Sequence, residues 1–185
     1  MGRIKKNLPV KLICGMLFNE EKEGARAFKQ LRGRFGPVDF ESESVPFTRT
    51  EYYEKEFGGG LRRKFISFEK LIAPDRLAGI KLFTNRVEAA LSSGGRRRVN
   101  LDPGYLELAK FVLASTKDFS HRIYLSKGIY AEITLLYRSG AFRPLDWTYP
   151  DYRTEWYIET LEKVRRIYYR AVVPPECRRR NAEND

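Results

Sequence analysis

Within eight residues, Ser115-Thr116-Lys117-Asp118-Phe119-Ser120-His121-Arg122 gathers hydroxyls, an ammonium, an imidazole and a guanidinium. Such groups suit a phosphate: lysine as a point charge, arginine as a two-pronged fork, hydroxyls as neutral donors. His121 is the chain's single histidine, and an ordinary pKa near neutrality makes it the default proton carrier. The same run also reads as a polar turn with His121 hydrogen-bonded at the edge of a core. Ten residues on, Glu132 interrupts the apolar run Ile129 to Tyr137. Period-two counting puts Ile129, Ala131, Ile133, Leu135 and Tyr137 on one face of a strand, and Tyr130, Glu132, Thr134 and Leu136 on the other. Arg122 and Tyr124 join that second face from the preceding strand. A carboxylate there can accept a substrate proton, bind a cation or orient Arg122. An ordinary cross-strand ion pair on a solvated face fits the pattern as well.

Two further clusters carry polar or aromatic chemistry. Trp147-Thr148-Tyr149-Pro150-Asp151-Tyr152-Arg153 places aromatic faces beside a guanidinium, which suits a stacked base with Arg153 on phosphate. The same residues can equally pin the following helix to a sheet. Thr48, Arg49, Thr50, Tyr52 and Tyr53 form a similar group that could supply a second wall. Asn100-Leu101-Asp102-Pro103-Gly104-Tyr105 reads as a helix start, with Asp102 as the cap and proline at the first helical position. Its functional version has Asn100 and the first-turn amides facing an anion. Arg96-Arg97-Arg98 is read as a solvated basic patch or as a contact to a phosphate backbone.

Several chemistries have no matching residues. There is no Gly-x-x-x-x-Gly-Lys-Ser/Thr loop, and Gly58-Gly59-Gly60 follows no convincing strand and opens no helix. One histidine cannot build a His/His metal motif, and no Gly-x-Ser-x-Gly elbow occurs. Neither Cys14 nor Cys177 has a partner at metal-ligand spacing, so no metal site is expected and no cofactor is indicated.

The elements that must position these groups follow from periodicity. Val10 to Phe18 is a strand. A helix follows from Asn19 as N-cap, with its apolar side at Ala25, Phe28, Leu31 and Phe35, and Gly36-Pro37 stops it. Val38 to Val45 and Arg63 to Phe68 read as strands. Pro74 to Leu91 is an amphipathic helix with Leu77, Ile80, Phe83, Val87 and Leu91 in one stripe. Arg96 to Leu101 gives a fourth strand, and Asp102 to Ala114 a helix. His121 to Leu125 and Ile129 to Tyr137 form a hairpin around Gly128, and a last helix ends at Pro174-Pro175.

The expected fold is therefore α+β: a ferredoxin-like β-α-β-β-α-β core with an added helix, a β-hairpin and a C-terminal helix. The sheet is expected to be antiparallel or mixed, with its helices on one face. Residues 1–175 are expected to form a single domain, and 176–185 a disordered polar tail. With 42% hydrophobic and 32% charged residues, the 185-residue chain has a globular composition. No apolar run approaches the roughly 18 residues that span a bilayer, and no export signal is read. A cytoplasmic protein without membrane contact is the expectation. The net charge is +11, of which residues 1–11 supply +4 and residues 176–185 nothing. The remainder belongs to the body, which favours polyanions as partners.

Four of these segments in their order carry a family resemblance. They are Asn100 to Leu106, Ser115-Thr116-Lys117 with His121-Arg122, Gly128-Ile129-Tyr130-Ala131-Glu132, and Trp147 to Arg153. Together they resemble the prokaryotic family called domain of unknown function 4416, over about residues 8–170. The resemblance points to the same polar clusters and assigns none of them a role.

Three functional readings follow. The first is binding of a phosphate-bearing ligand, RNA or a nucleotide, with Lys117, Arg122 and Arg153 on phosphate and Tyr149 or Trp147 against a base; Asn100 and Tyr130 are further ligand-binding candidates. The second is an enzyme on a phosphorylated small molecule or nucleotide, with Glu132 and His121 as the catalytic acid–base pair. The third is a protein-interaction module without a ligand. The oligomeric state is left open.

Overall fold

The computed structural model describes residues 2–3, 7–47, 57 and 59–176. The cluster Thr48, Arg49, Thr50, Tyr52 and Tyr53 lies outside the described residues, as does the expected tail from Cys177 onward.

The chain builds one α+β unit. Strand β1, Lys11–Phe18, is buried along its whole length. Lys11 belongs to it, so the charge counted with the basic N-terminus is in fact buried; its Nζ bonds the Phe68 carbonyl and pairs with Asp39. Helix α1, Glu21–Phe35, carries Glu21 and Glu23 in its first turn and Arg32 and Arg34 in its last, each charge matched to the helix dipole. Its cap position is Glu20, and Asn19 instead donates to the Phe57 carbonyl at 2.7 Å. Strands β2 (Val38–Glu41), β3 (Val45–Pro46) and β4 (Arg62–Phe68) follow, the first two being the halves of one expected strand. Helix α2, Leu77–Leu91, enters through a 3-10 turn at Pro74–Arg76. Then come β5 (Val99–Leu106), β6 (Lys110–Ser115), β7 (Ile123–Ser126), β8 (Ile129–Arg138) and β9 (Ala141–Pro144). Helix α3, Glu155–Val172, closes the described fold. No helix among the described residues is long and apolar enough to cross a membrane.

The nine strands form one sheet, in the order β2-β4-β1-β5-β6-β8-β7, with β3 on β4 and β9 on β8. Each of these pairings is antiparallel. The sheet is thus much larger than the four strands of the expected core. Helices α1 and α2 cover one face through Ala27, Leu31, Ile80, Val87 and Leu91, packed on Leu12, Cys14, Met16 and Phe18. Helix α3 covers the other face through Tyr157, Leu161, Val164 and Tyr168, against Ile13, Phe65, Phe111 and Leu135. The expectation of helices on one face is therefore corrected: along β1 the even residues meet α1 and α2 while Ile13 meets α3, so both faces are apolar and both must be covered.

The second correction concerns Asp102 to Ala114. This segment is the β5–β6 hairpin, closed by Glu107 N donating to the Lys110 carbonyl at 2.9 Å. Asp102-Pro103 has the local form of a helix start, yet β5 pairs with all eight residues of β1. Long-range pairing of a buried strand outweighs a cap worth about 1 kcal/mol. Gly104 fixes the hairpin, because a Cβ there would stand 2.4 Å from the Val112 carbonyl oxygen. Gly104→Ala is expected to push β5 and β6 apart at the cost of about 1–3 kcal/mol, measured by urea denaturation; an unchanged midpoint would mean that the strands do not approach this closely.

Candidate functional site

Strands β5 and β6 pair only from Gly104 to Leu106. Beyond that, Val99 to Pro103 keep their β1 partners while β6 follows β8 as far as Ser115. The sheet forks. Pro103 stands at the fork, where its missing N–H breaks no β6 ladder. The main chain of Leu101 has lost its strand neighbour, and two side chains of α2 replace it. Lys81 Nζ donates to the Leu101 carbonyl and Glu88 Oε1 accepts from the Leu101 N–H, each at 2.8 Å. Lys81 and Glu88 are seven residues apart and share the buried face of α2 with Leu77, Thr84 and Leu91. Arg97 adds a contact to Glu88 at 3.3 Å and to Asn100 Oδ1 at 3.0 Å.

A cleft of about 620 Å³ opens at this fork. Arg63 lies in it, 2% exposed and reaching across the sheet. In register Arg63 faces Leu17, whereas Asp102 faces Gly15, two residues along β1 toward the N-terminus. The guanidinium reaches Asp102 by passing over Gly15, where a Cβ would be 3.0 Å from Nη1. Nη1 bonds Asp102 at 2.9 Å and Nη2 lies 3.6 Å from Asp151. The rings of Phe47, Phe65 and Tyr157 flank the cation at 5.2–5.9 Å. Burial alone would raise Asp102, but the Arg63 guanidinium, seconded by Lys81, holds its carboxyl below the ordinary 3.8. For Asp151 burial prevails over the more distant Arg63, and the pKa is raised. Glu88 is raised by burial too, against Lys81. Tyr152, 3% exposed, is pushed well above 10 by burial, and its hydroxyl has no hydrogen-bond partner among the described residues.

The opposite wall is built on β8. Val112 pairs with Ile133 and Phe111 with Leu135, so Thr134 is the extra residue of a bulge. The bulge switches faces. Ile133 packs toward α2 and Leu135 toward α3, which overturns the single apolar face counted from the sequence. Of the two sequence readings of Glu132 the solvated face is excluded, since the residue is buried at 3% exposure. Its Oε2 accepts from Arg122 Nε at 2.8 Å and lies 3.2 Å from His121 Nε2. Arg122 further donates to the Lys117 carbonyl at 2.9 Å and to the Tyr149 hydroxyl at 3.0 Å.

Tyr149 and Asp151 arrive on a loop that closes another gap in the sheet. On the outer side of β8, β7 pairs as far as Ala131 and β9 starts at Leu135. Between them Trp147 Nε1 donates to the Ile133 carbonyl at 2.8 Å, and Thr148 Oγ1 to that of Thr134 at 2.5 Å. Arg153 ties the loop by donating to the carbonyls of Leu145, Asp146 and Thr148, each at 2.9 Å.

Of the residues selected from sequence, Glu132, Lys117, Arg122, Tyr149 and Asn100 line the cleft. Arg153, His121, Trp147 and Tyr130 do not. Arg153 is spent on loop carbonyls, and His121 stacks flat on Trp147 at 5.3 Å behind Glu132. Tyr130 meets Tyr124 edge to face. Arg63, Lys81 and Glu88 also line the cleft and had no sequence reading, as do Arg97, read within a basic patch, Asp102, read as a helix cap, and Asp151 and Tyr152, read within the aromatic loop. Lys81 and Glu88 were legible as charges on the apolar stripe of a helix. Arg63 carried no comparable signal, since its partners come from β5 and the loop before α3. No group of three or more His, Cys, Asp or Glu that could hold a metal occurs among the described residues.

Asp102 and Glu88 make opposite predictions with pH. The folded pKa of Asp102 is lowered, so its ionisation stabilises the fold above about 3.8, and that contribution disappears as pH falls through the depressed value. Asp102→Asn is expected to destabilise at pH 7, with the difference from wild type shrinking below pH 3.8. The raised Glu88 is penalised above its folded pKa and relieved as pH falls through it, so Glu88→Gln should cost least at high pH. Denaturant melts from pH 3 to 8 read both, and parallel pH curves for the variants and wild type would refute the pairing.

No curated protein and no solved structure matches the chain at a significant level. A family model does match, over residues 8–168, spanning β1 to most of α3 and every wall of the cleft. The chain belongs to the family described as Domain of unknown function (DUF4416).

Proposed function

We propose that the cleft binds a phosphate-bearing small molecule of nucleotide size, with Lys117 and Arg122 at its phosphate end. The observation that carries this reading is the convergence of five cations, Arg63, Lys81, Arg97, Lys117 and Arg122, on one cleft of about 620 Å³. That volume lies in the range of about 300–1,000 Å³ usual for small-molecule sites, so a nucleotide suits it better than an RNA strand. Arg122 is held by three contacts, which use three of its five N–H groups and leave two for an anion. Ser115 Oγ accepts from Lys117 N at 3.1 Å and shapes the turn that presents Ser115, Thr116 and Lys117 to the cleft. Asn100 offers a further donor: its Nδ2 is near enough to Asp102 to help lower that carboxyl, yet it lacks the geometry of a hydrogen bond.

Turnover of the same ligand is the second reading, favoured by the 3.2 Å contact of His121 with Glu132, which faces the cleft. In that reading Glu132 is the group that meets substrate and His121 supports it from behind.

Calorimetric titration of the ribonucleoside mono- and triphosphates, beside a short single-stranded RNA at low and high salt, tests binding. A nucleotide should bind, and Arg122→Ala and Lys117→Ala should each weaken it about tenfold or more, as loss of a charge-assisted hydrogen bond implies. Unchanged affinity in both variants, or salt-sensitive binding of RNA alone, would refute the small-molecule site.

A further inference from the structure

We propose that the floor of the cleft, Asp102, Arg63, Asp151 and Tyr152, is a hydroxyl-recognition subsite that takes the vicinal diol of a sugar ring. The inference rests on the phosphate-binding reading and names the chemistry of the ligand's other end.

The floor is built before any ligand arrives. Arg63 is fully buried and fixed between two carboxylates, at 2.9 and 3.6 Å, and Gly15 beneath it keeps the space open. The two carboxylates that flank Arg63 already balance its charge, so the phosphate belongs with Lys117 and Arg122. The same carboxylates accept hydrogen bonds from neutral O–H groups, and ionised carboxylate oxygens have room for more than one donor each. The Tyr152 hydroxyl, buried and unpartnered among the described residues, both donates and accepts. A buried hydroxyl left unpaired is destabilising, so a ligand group that satisfies it gains affinity. A diol matches this set: one hydroxyl donates to a carboxylate while its oxygen accepts from Tyr152, and its neighbour donates to the second carboxylate. Leu113 and Phe47 line the cleft as apolar walls, as the carbon face of a sugar ring requires.

The two subsites lie within reach of one small molecule. Tyr149, which holds Arg122, and Asp151, which flanks Arg63, stand two residues apart in a single turn. Two residues of backbone span at most about 7 Å, and the side chains of both subsites line the same cleft.

The test titrates the four ribonucleoside 5′-monophosphates, their 2′,3′-dideoxy counterparts, ribose 5-phosphate and inorganic phosphate into the wild-type chain and into Tyr152→Phe and Asp102→Asn, with folding checked by thermal melts. The ribo compounds should bind about tenfold or more tighter than the dideoxy ones, since a site built to bond a hydroxyl rejects the analogue lacking it. Tyr152→Phe removes one oxygen, and it should narrow that ratio while leaving dideoxy and inorganic phosphate affinities in place. Ribose 5-phosphate binding as the ribonucleotides do, and weakened like them by Tyr152→Phe, would identify a sugar phosphate as the ligand. Binding restricted to nucleotides would identify the base as a third contact. Equal affinity for ribo and dideoxy compounds overturns the diol subsite and leaves the phosphate reading standing. Absence of binding by every compound, inorganic phosphate included, overturns both.

Discussion

A guanidinium buried in the middle of a β-sheet dictates much of this molecule. Isolated burial of a charge is prohibitive, and a buried ion is tolerated only when paired and hydrogen-bonded. Arg63 stands on β4, so its counter-charges must come from elements beside it: Asp102 on β5, two strands away, and Asp151 ahead of α3. Each of these placements has a consequence. Reaching β5 means crossing β1, which requires a residue without a Cβ at Gly15. Reaching Asp151 brings the turn Pro150–Arg153 onto the sheet and so sets where α3 begins. The aromatic rings of Phe65, Tyr152 and Tyr157 pack edge to face around the same point. One charge thereby couples the centre of the sheet to the helix that covers it.

A second constraint explains why there is a cleft at all. Every buried main-chain N–H and C=O needs a partner, and a sheet that forks leaves some without one. Here side chains take the place of absent strands. Lys81 and Glu88 pair with both main-chain groups of Leu101, while Trp147 and Thr148 take the carbonyls of Ile133 and Thr134. The walls are therefore polar because the sheet is interrupted there. Several of the charges that line the cavity have a main-chain duty to perform first. Tyr152, Asn100, Arg63 and Arg122 retain hydrogen-bonding capacity after those duties are counted.

The legibility of the chain divides along the same line. Elements whose identity depends on local period were readable: α1, α2 and α3 from their stripes, and the β7–β8 hairpin from Gly128 between two apolar runs. Where a local signal competed with a distant partner, the partner won. Asp102-Pro103 looks like a helix start and lies in a strand because β1 needed a neighbour on that edge. Glu132 was counted onto the face opposite Ile133, where it lies, but period-two counting cannot foresee the bulge at Thr134 that brings Leu135 onto that face and makes it apolar too. Arg153 and Trp147 were the right residue types for phosphate and base, but unpaired carbonyls nearby claimed their donors. Of the Arg96-Arg97-Arg98 run, read as one patch, Arg97 alone lines the cleft, while Arg98 meets Glu20.

The net charge of +11 deserves the same scrutiny. It argues for anionic partners in general, yet it does not collect where the cleft is. Five cations line the cavity against four carboxylates, Glu88, Asp102, Glu132 and Asp151, so the interior is close to neutral. A groove for nucleic acid would track a backbone with cations spaced along an open surface, and its affinity would follow their number and the salt. A nearly neutral, enclosed cavity with charges fixed in pairs works otherwise. Binding there would depend on matching groups, Arg122 on one wall and Asp102 and Asp151 on the floor, more than on total charge. The bulk charge can raise the local concentration of anions around the molecule, and on the reading proposed above, selection among them falls to the paired charges of the cleft.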